Sequence, residues 1–201
     1  MRTLCATLVL TVAIFAAPAN ADTIGAQGGG ANNVVIVQST TNQWWRARAH
    51  LEVASVAGGT VASTNLADAE AAACTGCRAS AVAVQVLFVT GDPNVYTPAN
   101  VATATNGGCD ACGTYAYAWQ YVLQTSGPVY LSPAGRLAVV QLENEIADTV
   151  ASIDPTSLAA DEQLTSELDT LTTQLKSAVD TEVQAAGVHA TGAPVRQVSQ
   201  G

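Results

Sequence analysis

Residues 65–91 and 100–126 of this chain align without a gap, and nine of their 27 positions are identical. The matches are Asn65/Asn100, Ala67/Ala102, Ala69/Ala104, Cys74/Cys109, Cys77/Cys112, Ala81/Ala116, Ala83/Ala118, Gln85/Gln120 and Thr90/Thr125. Self-similarity at a fixed spacing marks a chain that lays down one supersecondary unit repeatedly. The shared pattern is N-x-A-x-A…C-x-x-C-x-x-x-A-x-A-x-Q, with a period of 35 residues. A shorter copy without cysteine precedes it. Asn33-Val34-Val35-Ile36-Val37-Gln38 fits the first arm, residues 46–53 fit the second, and residues 39–45 stand where the CxxC connection would be.

The second arms alternate with a period of two. Arg46, Arg48, His50 and Glu52 alternate with Ala47, Ala49, Leu51 and Val53. Val82, Val84, Val86 and Phe88 share one face of their arm, and Tyr115, Tyr117, Trp119 and Tyr121 share one face of theirs. Period two suits a strand and would be wasted on a helix. Each unit is therefore expected to be a β-hairpin. Helical arms are the alternative, because residues 65–73 are Ala-rich and Thr97-Pro98 could open a helix. Gly58-Gly59, Gly91-Asp92-Pro93 and Ser126-Gly127-Pro128 punctuate the unit ends.

After the repeats the period changes. Ser132-Pro133 reads as an N-cap and first helical residue, followed by a stripe of Val139, Leu142, Ile146 and Val150. Asp154-Pro155 interrupts it, and Leu164, Leu168, Leu171, Leu175, Val179 and Val183 form a second apolar seam. The expected fold class is α+β: three β-hairpin units, two carrying CxxC, in residues 22–131, then an antiparallel helical hairpin packed on them in residues 132–186. The helices could also supply a dimer seam. Residues 187–201 lack periodicity and read as a flexible tail.

The N-terminus reads as an export signal. Arg2 precedes an apolar run from Leu8 to Ala16, and Ala19-Asn20-Ala21 is an A-x-A cleavage site. Cleavage after Ala21 leaves 180 residues with a formal charge of -10 and four cysteines, Cys5 having been removed. A secreted chain is the expectation. The acidic balance, 16 Asp and Glu against 7 Lys and Arg, argues against nucleic acid as a partner. No stretch is long and apolar enough to read as a membrane span. A protein or a cell-wall component is the expected partner.

Cys74, Cys77, Cys109 and Cys112 carry the only specific chemical signal. Outside the cytoplasm an even number of thiols suggests two disulfides, and four cysteines allow three connectivities. Units lying side by side would favour cross-bridges such as Cys74 to Cys109. No cofactor is required, but zinc is the alternative occupant, since four thiolates suit a tetrahedral ion and Gly113 follows the second pair as in zinc knuckles. Thiol–disulfide exchange is the third reading, with Arg78 available to stabilise a thiolate and Asp110 opposing it. The two histidines, His50 and His189, are far apart in sequence, and no HExxH, G-x-S-x-G or phosphate-binding glycine loop occurs. No catalytic residue is nominated. Trp44, Trp45, Tyr115, Tyr117, Trp119 and Tyr121 are candidates for a binding surface, including a sugar-stacking platform, although such a row more often packs a core.

The N-x-A-x-A motifs, the paired CxxC, the A-x-A-x-Q tails and Gly-Pro-Val-Tyr-Leu-Ser-Pro-Ala-Gly at 127–135 resemble an exported bacterial family whose segments are associated with peptide zinc metalloproteases. The likeness covers roughly residues 33–183. It implies an exported accessory or interaction domain and no peptidase role, because the HExxH is missing.

Overall fold

The computed structural model describes residues 31–201 together with the short strand β1 (Ala26–Gln27). The expected export signal at residues 1–21 lies outside the described residues. The elements that follow are β2 (Asn33–Ser39), β3 (Trp45–Ala57), β4 (Thr60–Val61), β5 (Thr64–Ala72), β6 (Arg78–Thr90), β7 (Val95–Tyr96), β8 (Ala99–Gly107), β9 (Gly113–Thr125), α1 (Pro133–Ser152), α2 (Leu158–Ala185), β10 (Ala190–Thr191) and β11 (Pro194–Gln200). Among the described residues the fold is mixed α+β, with three sheets and two C-terminal helices.

The two arms of a unit are strands, but they do not form hairpins. The first arms assemble as the sheet β2-β5-β8, and the second arms lie together as β3-β6-β9 in another. All these pairings are parallel. Asn33 sits beside Asn65 and Asn65 beside Asn100, while Gln85 sits beside Gln120. The result is a short two-sheet solenoid, in which each turn of chain lays one strand on each sheet. The hairpin expectation fails for a physical reason. Only parallel stacking puts equivalent residues side by side, and here the equivalent residues are amides that bond each other.

The amides form two ladders. Asn33 Nδ2 donates to Asn65 Oδ1 (3.0 Å), and Asn65 Nδ2 donates to Asn100 Oδ1 (2.7 Å). The same amides reach carbonyls of the opposite sheet: Val84 from Asn33, Ala83 and Trp119 from Asn65, and Ala118 from Asn100. On the long strands Gln120 donates to Gln85 and Gln85 to Glu52, both at 2.8 Å. Buried amides need such partners, so a one-residue slip would orphan the whole set.

In the first part of β6 and β9 alternation separates small from large, not polar from apolar. Ala79, Ala81, Ala83, Ala116 and Ala118 face the other sheet and pack with Val35, Val37, Ala67 and Ala69. Single methyl groups let the sheets approach closely. Val82, Val84, Val86, Phe88, Tyr115, Tyr117, Trp119 and Tyr121 face the opposite way, into a core shared with both helix stripes. Both strand faces are thus buried, as in parallel sheets generally.

Ser132 Oγ caps α1 by accepting from Gly135 N (3.0 Å), and Glu182 near the end of α2 accepts from the Ser132 N–H and hydroxyl. The start of α1 therefore meets the end of α2, which makes the helix pair antiparallel. Every residue of the two expected apolar stripes is buried.

The two ends of the solenoid are closed differently. Residues 187–201 are not a loose tail: β11 pairs antiparallel with β9 from Pro194 to Gln200. Its Gln197 and Ser199 side chains accept from the Ala102 and Ala104 N–H groups of β8, and Val195 O accepts from Asn100. At the other end β1 pairs with β3 only at Val56 and Ala57, and β3 carries exposed Arg46, Arg48 and His50 farther along its edge, in register with Ala79, Ala81 and Ala83. Arginines at inward positions of an open strand edge discourage another chain from pairing there.

Replacing Asn65 by Ala would strand the Ala83 and Trp119 carbonyls and break the ladder in its middle. The expected loss is about 2–4 kcal/mol, from the usual cost of buried unpaired groups. Urea denaturation measures it.

Candidate functional site: four cysteines on stacked turns

Five residues join β5 to β6 and five join β8 to β9, and each linker carries one CxxC. The turns have the same conformation. Ala73 and Gly76 are left-handed in the first (φ 54° and 63°), and Gly108 and Ala111 in the second (φ 58° and 52°). The backbones of the two turns bond directly. Ala73 N donates to Gly107 O (2.9 Å), Gly76 N to Asp110 O (2.8 Å), Asp110 N to Cys74 O (3.2 Å) and Gly113 N to Cys77 O (3.2 Å). The cysteine-free turn before β3 stacks beneath them, with Gln43 N donating to Thr75 O and Asn42 Oδ1 accepting from Thr75 N, both at 2.9 Å.

This stacking gathers all four sulfurs within 4.8 Å of one another. Cys74 is bonded to Cys77 and Cys109 to Cys112. The cross-bridge Cys74–Cys109 is not formed; those sulfurs lie 3.8 Å apart. Bonds within each CxxC close loops of only four residues. The chain-entropy stabilisation is then about 2 kcal/mol per bond, against about 4 for a 35-residue loop. Cys77 is fully buried and Cys74 nearly so, while Cys109 and Cys112 are half-buried. A shallow depression of about 450 Å³, lined by Asn42, Ala73, Thr75, Gly108 and Asp110, opens onto Cys74 and Cys109.

Two features read from the sequence as thiol chemistry have structural roles. Arg78 is paired with Asp154, in the linker between the helices, at 2.5 Å. Gly113 lies against the Pro155 carbonyl, where a Cβ would collide. The turn region thus docks the helix linker, and the Asp154-Pro155 break is the partner that the sequence did not reveal.

The aromatic row does not form a surface. Tyr115 and Tyr117 are fully buried, and Trp119 and Tyr121 nearly so, under α2. Their hydroxyls bond that helix: Tyr115 to Thr165 (3.0 Å), Tyr117 to Asp169 (3.0 Å) and Thr172 (3.2 Å), and Tyr121 to Asp180 (2.8 Å). Burial pushes the Tyr115 and Tyr117 phenols far above their usual range. Lys176 lies 5.2 Å from the Tyr121 ring centre, and its ammonium bonds Asp180, which raises its pKa. Trp44 is exposed and Trp45 half-buried. His50 Nδ1 lies 2.7 Å from Asn33 Oδ1, remote in the fold from His189, whose N–H donates to Ser126 Oγ.

Comparison with protein-family models, curated proteins and solved structures found no match.

Ala111→Gly relieves a left-handed alanine, a gain of about 1–2 kcal/mol, offset by about 0.5–1 kcal/mol of added unfolded-chain entropy. A small net rise in thermal midpoint is expected by calorimetry. Burial pushes the Asp161 carboxyl up from 3.8 to about 6. Its ionisation therefore opposes folding, and its contribution to stability declines as pH rises from about 4 to about 6. Asp161→Asn should exceed the parent in denaturation midpoint at pH 7 and lose that advantage at pH 4.

Proposed function

We propose that this chain is an exported, non-catalytic structural or interaction protein of the bacterial cell surface, whose solenoid is stiffened by two disulfides. The observation that carries this reading is the bonding of Cys74 to Cys77 and Cys109 to Cys112 on stacked turns. Disulfides persist in oxidising spaces, which agrees with the A-x-A site after an apolar run at the N-terminus and with the resemblance to exported domains. No described helix is long and apolar enough to cross a membrane.

The outer face of β2-β5-β8 supports an interaction role. The helices cover the long-strand sheet and leave this face uncovered. Its rows run Val34–Leu66–Val101, Ile36–Asp68–Thr103 and Gln38–Glu70–Thr105. Val34 and Ile36 are half exposed. Gln38 donates to Glu70 (2.7 Å) and Thr103 to Asp68 (2.9 Å), so the rows present ordered polar groups beside an apolar strip. Such a face suits a protein or a cell-wall polymer. The buried aromatic row leaves Trp44 as the exposed indole for sugar stacking, a weaker basis for carbohydrate binding.

Intact mass of the protein secreted by its host, before and after alkylation, checks the reading. No thiol should react natively and four should react after reduction. Non-reducing peptide mapping should return Cys74–Cys77 and Cys109–Cys112. Four reactive thiols in the secreted protein would sink the proposal.

A further inference from the structure

We propose that Cys74, Cys77, Cys109 and Cys112 also form a redox-gated zinc site. With both disulfides reduced, the four thiolates take up one Zn²⁺, and oxidation expels it. The inference rests on the four-sulfur geometry and is independent of where the protein is located.

A tetrahedral zinc with bonds of about 2.3 Å to sulfur needs sulfurs about 3.8 Å apart. Three of the distances between turns already approach this: Cys74–Cys109 at 3.8 Å, Cys77–Cys109 at 3.7 Å and Cys77–Cys112 at 3.3 Å. These edges are set by the stacking of two turns and require no metal. The fourth edge between the turns, Cys74–Cys112, lies within 4.8 Å, and the one edge within each CxxC, now a covalent bond, must lengthen. The Cα atoms of each pair are 6.0 Å apart, so rotation about the side-chain bonds can supply the change.

The frame does not depend on the disulfides. Four backbone hydrogen bonds hold turn to turn, two of them making the Thr75–Asp110 bridge. Reduction leaves these bonds in place, so the thiolates stay gathered and little ordering remains to oppose binding. Four thiolates are a soft set that selects zinc over magnesium or calcium. The depression over Cys74 and Cys109 gives reductant and metal a path, while buried Cys77 excludes water from the inner side.

The chemistry balances with a phosphine as reductant. Two phosphines and two water molecules reduce the two disulfides, giving two phosphine oxides and four thiols. Zinc then displaces four thiol protons and forms a dianionic tetrathiolate. A disulfide oxidant supplied in two equivalents takes the four electrons back, restores Cys74–Cys77 and Cys109–Cys112, and frees the ion.

The test uses the full chain with Cys5→Ser, so that no fifth thiol contributes. After phosphine reduction under argon, it is titrated with Zn²⁺, and with Co²⁺ as a spectroscopic probe. The reduced chain should bind about one zinc with submicromolar affinity, release about four protons, and give the visible absorption of tetrahedral Co²⁺ with thiolate charge-transfer bands. The oxidised chain should retain less than about a tenth of an equivalent. Cys77→Ser and Cys109→Ser should each weaken binding by at least about 100-fold. Far-UV circular dichroism of the reduced, metal-free chain should keep its native strand signal. Loss of that signal overturns the proposal, since the turns must stay stacked without sulfur bonds. An octahedral cobalt spectrum, no uptake at micromolar zinc, or undiminished binding by both serine variants also overturns it. None of these results bears on the disulfide mapping of the secreted protein.

Discussion

The in-register stack of Asn33, Asn65 and Asn100 is the constraint on which the rest of the molecule depends. Each amide bonds the next along the stack and a carbonyl of the facing sheet, so one row fixes both strand register and sheet-to-sheet alignment. With that register set, alanine meets alanine between the sheets, Gln120 meets Gln85, and one CxxC turn lies directly on the other. Four sulfurs converge because the strands beneath them are locked. The cluster is a consequence of the ladder.

Burial on both faces follows from the same geometry. One face of β6 and β9 is filled by small side chains against the short-strand sheet, and the other by large ones against the helices. The tyrosines use their rings as core and their hydroxyls as fixed points for α2, each bonded to a threonine or aspartate of that helix. Glu182 ties the start of α1 to the end of α2, and Pro155 rests on Gly113. The helix pair is therefore tied together at one end of its hairpin and rests at the other on the cysteine turns.

A solenoid must also stop, since an open edge invites pairing with another chain. Antiparallel β11 closes one end and satisfies β8 through Gln197 and Ser199. At the other end Arg46, Arg48 and His50 replace the inward alanines of later turns. The positions that looked like the polar side of a half-buried strand are inward positions at the first turn of a stack.

The sequence alone determined the spacing of the units, both helix stripes and the Ser132 cap, because these are local periodicities written in side-chain type; it favoured strands for the arms and left helices as the alternative. It also singled out the four cysteines. Tertiary structure decided how the arms pair, which sulfurs bond, that the aromatic row lies under a helix, and that the last residues are a strand. Alternation at period two is the same for a hairpin arm and a solenoid strand; what separates them is which distant residue supplies the neighbouring hydrogen bonds. Residues 187–201 carry too little apolar character to announce β11, whose stability comes from the edge of β9 waiting for it. The gathering of the four sulfurs likewise depended on a turn stacked on its copy 35 residues away, a contact that no local pattern records.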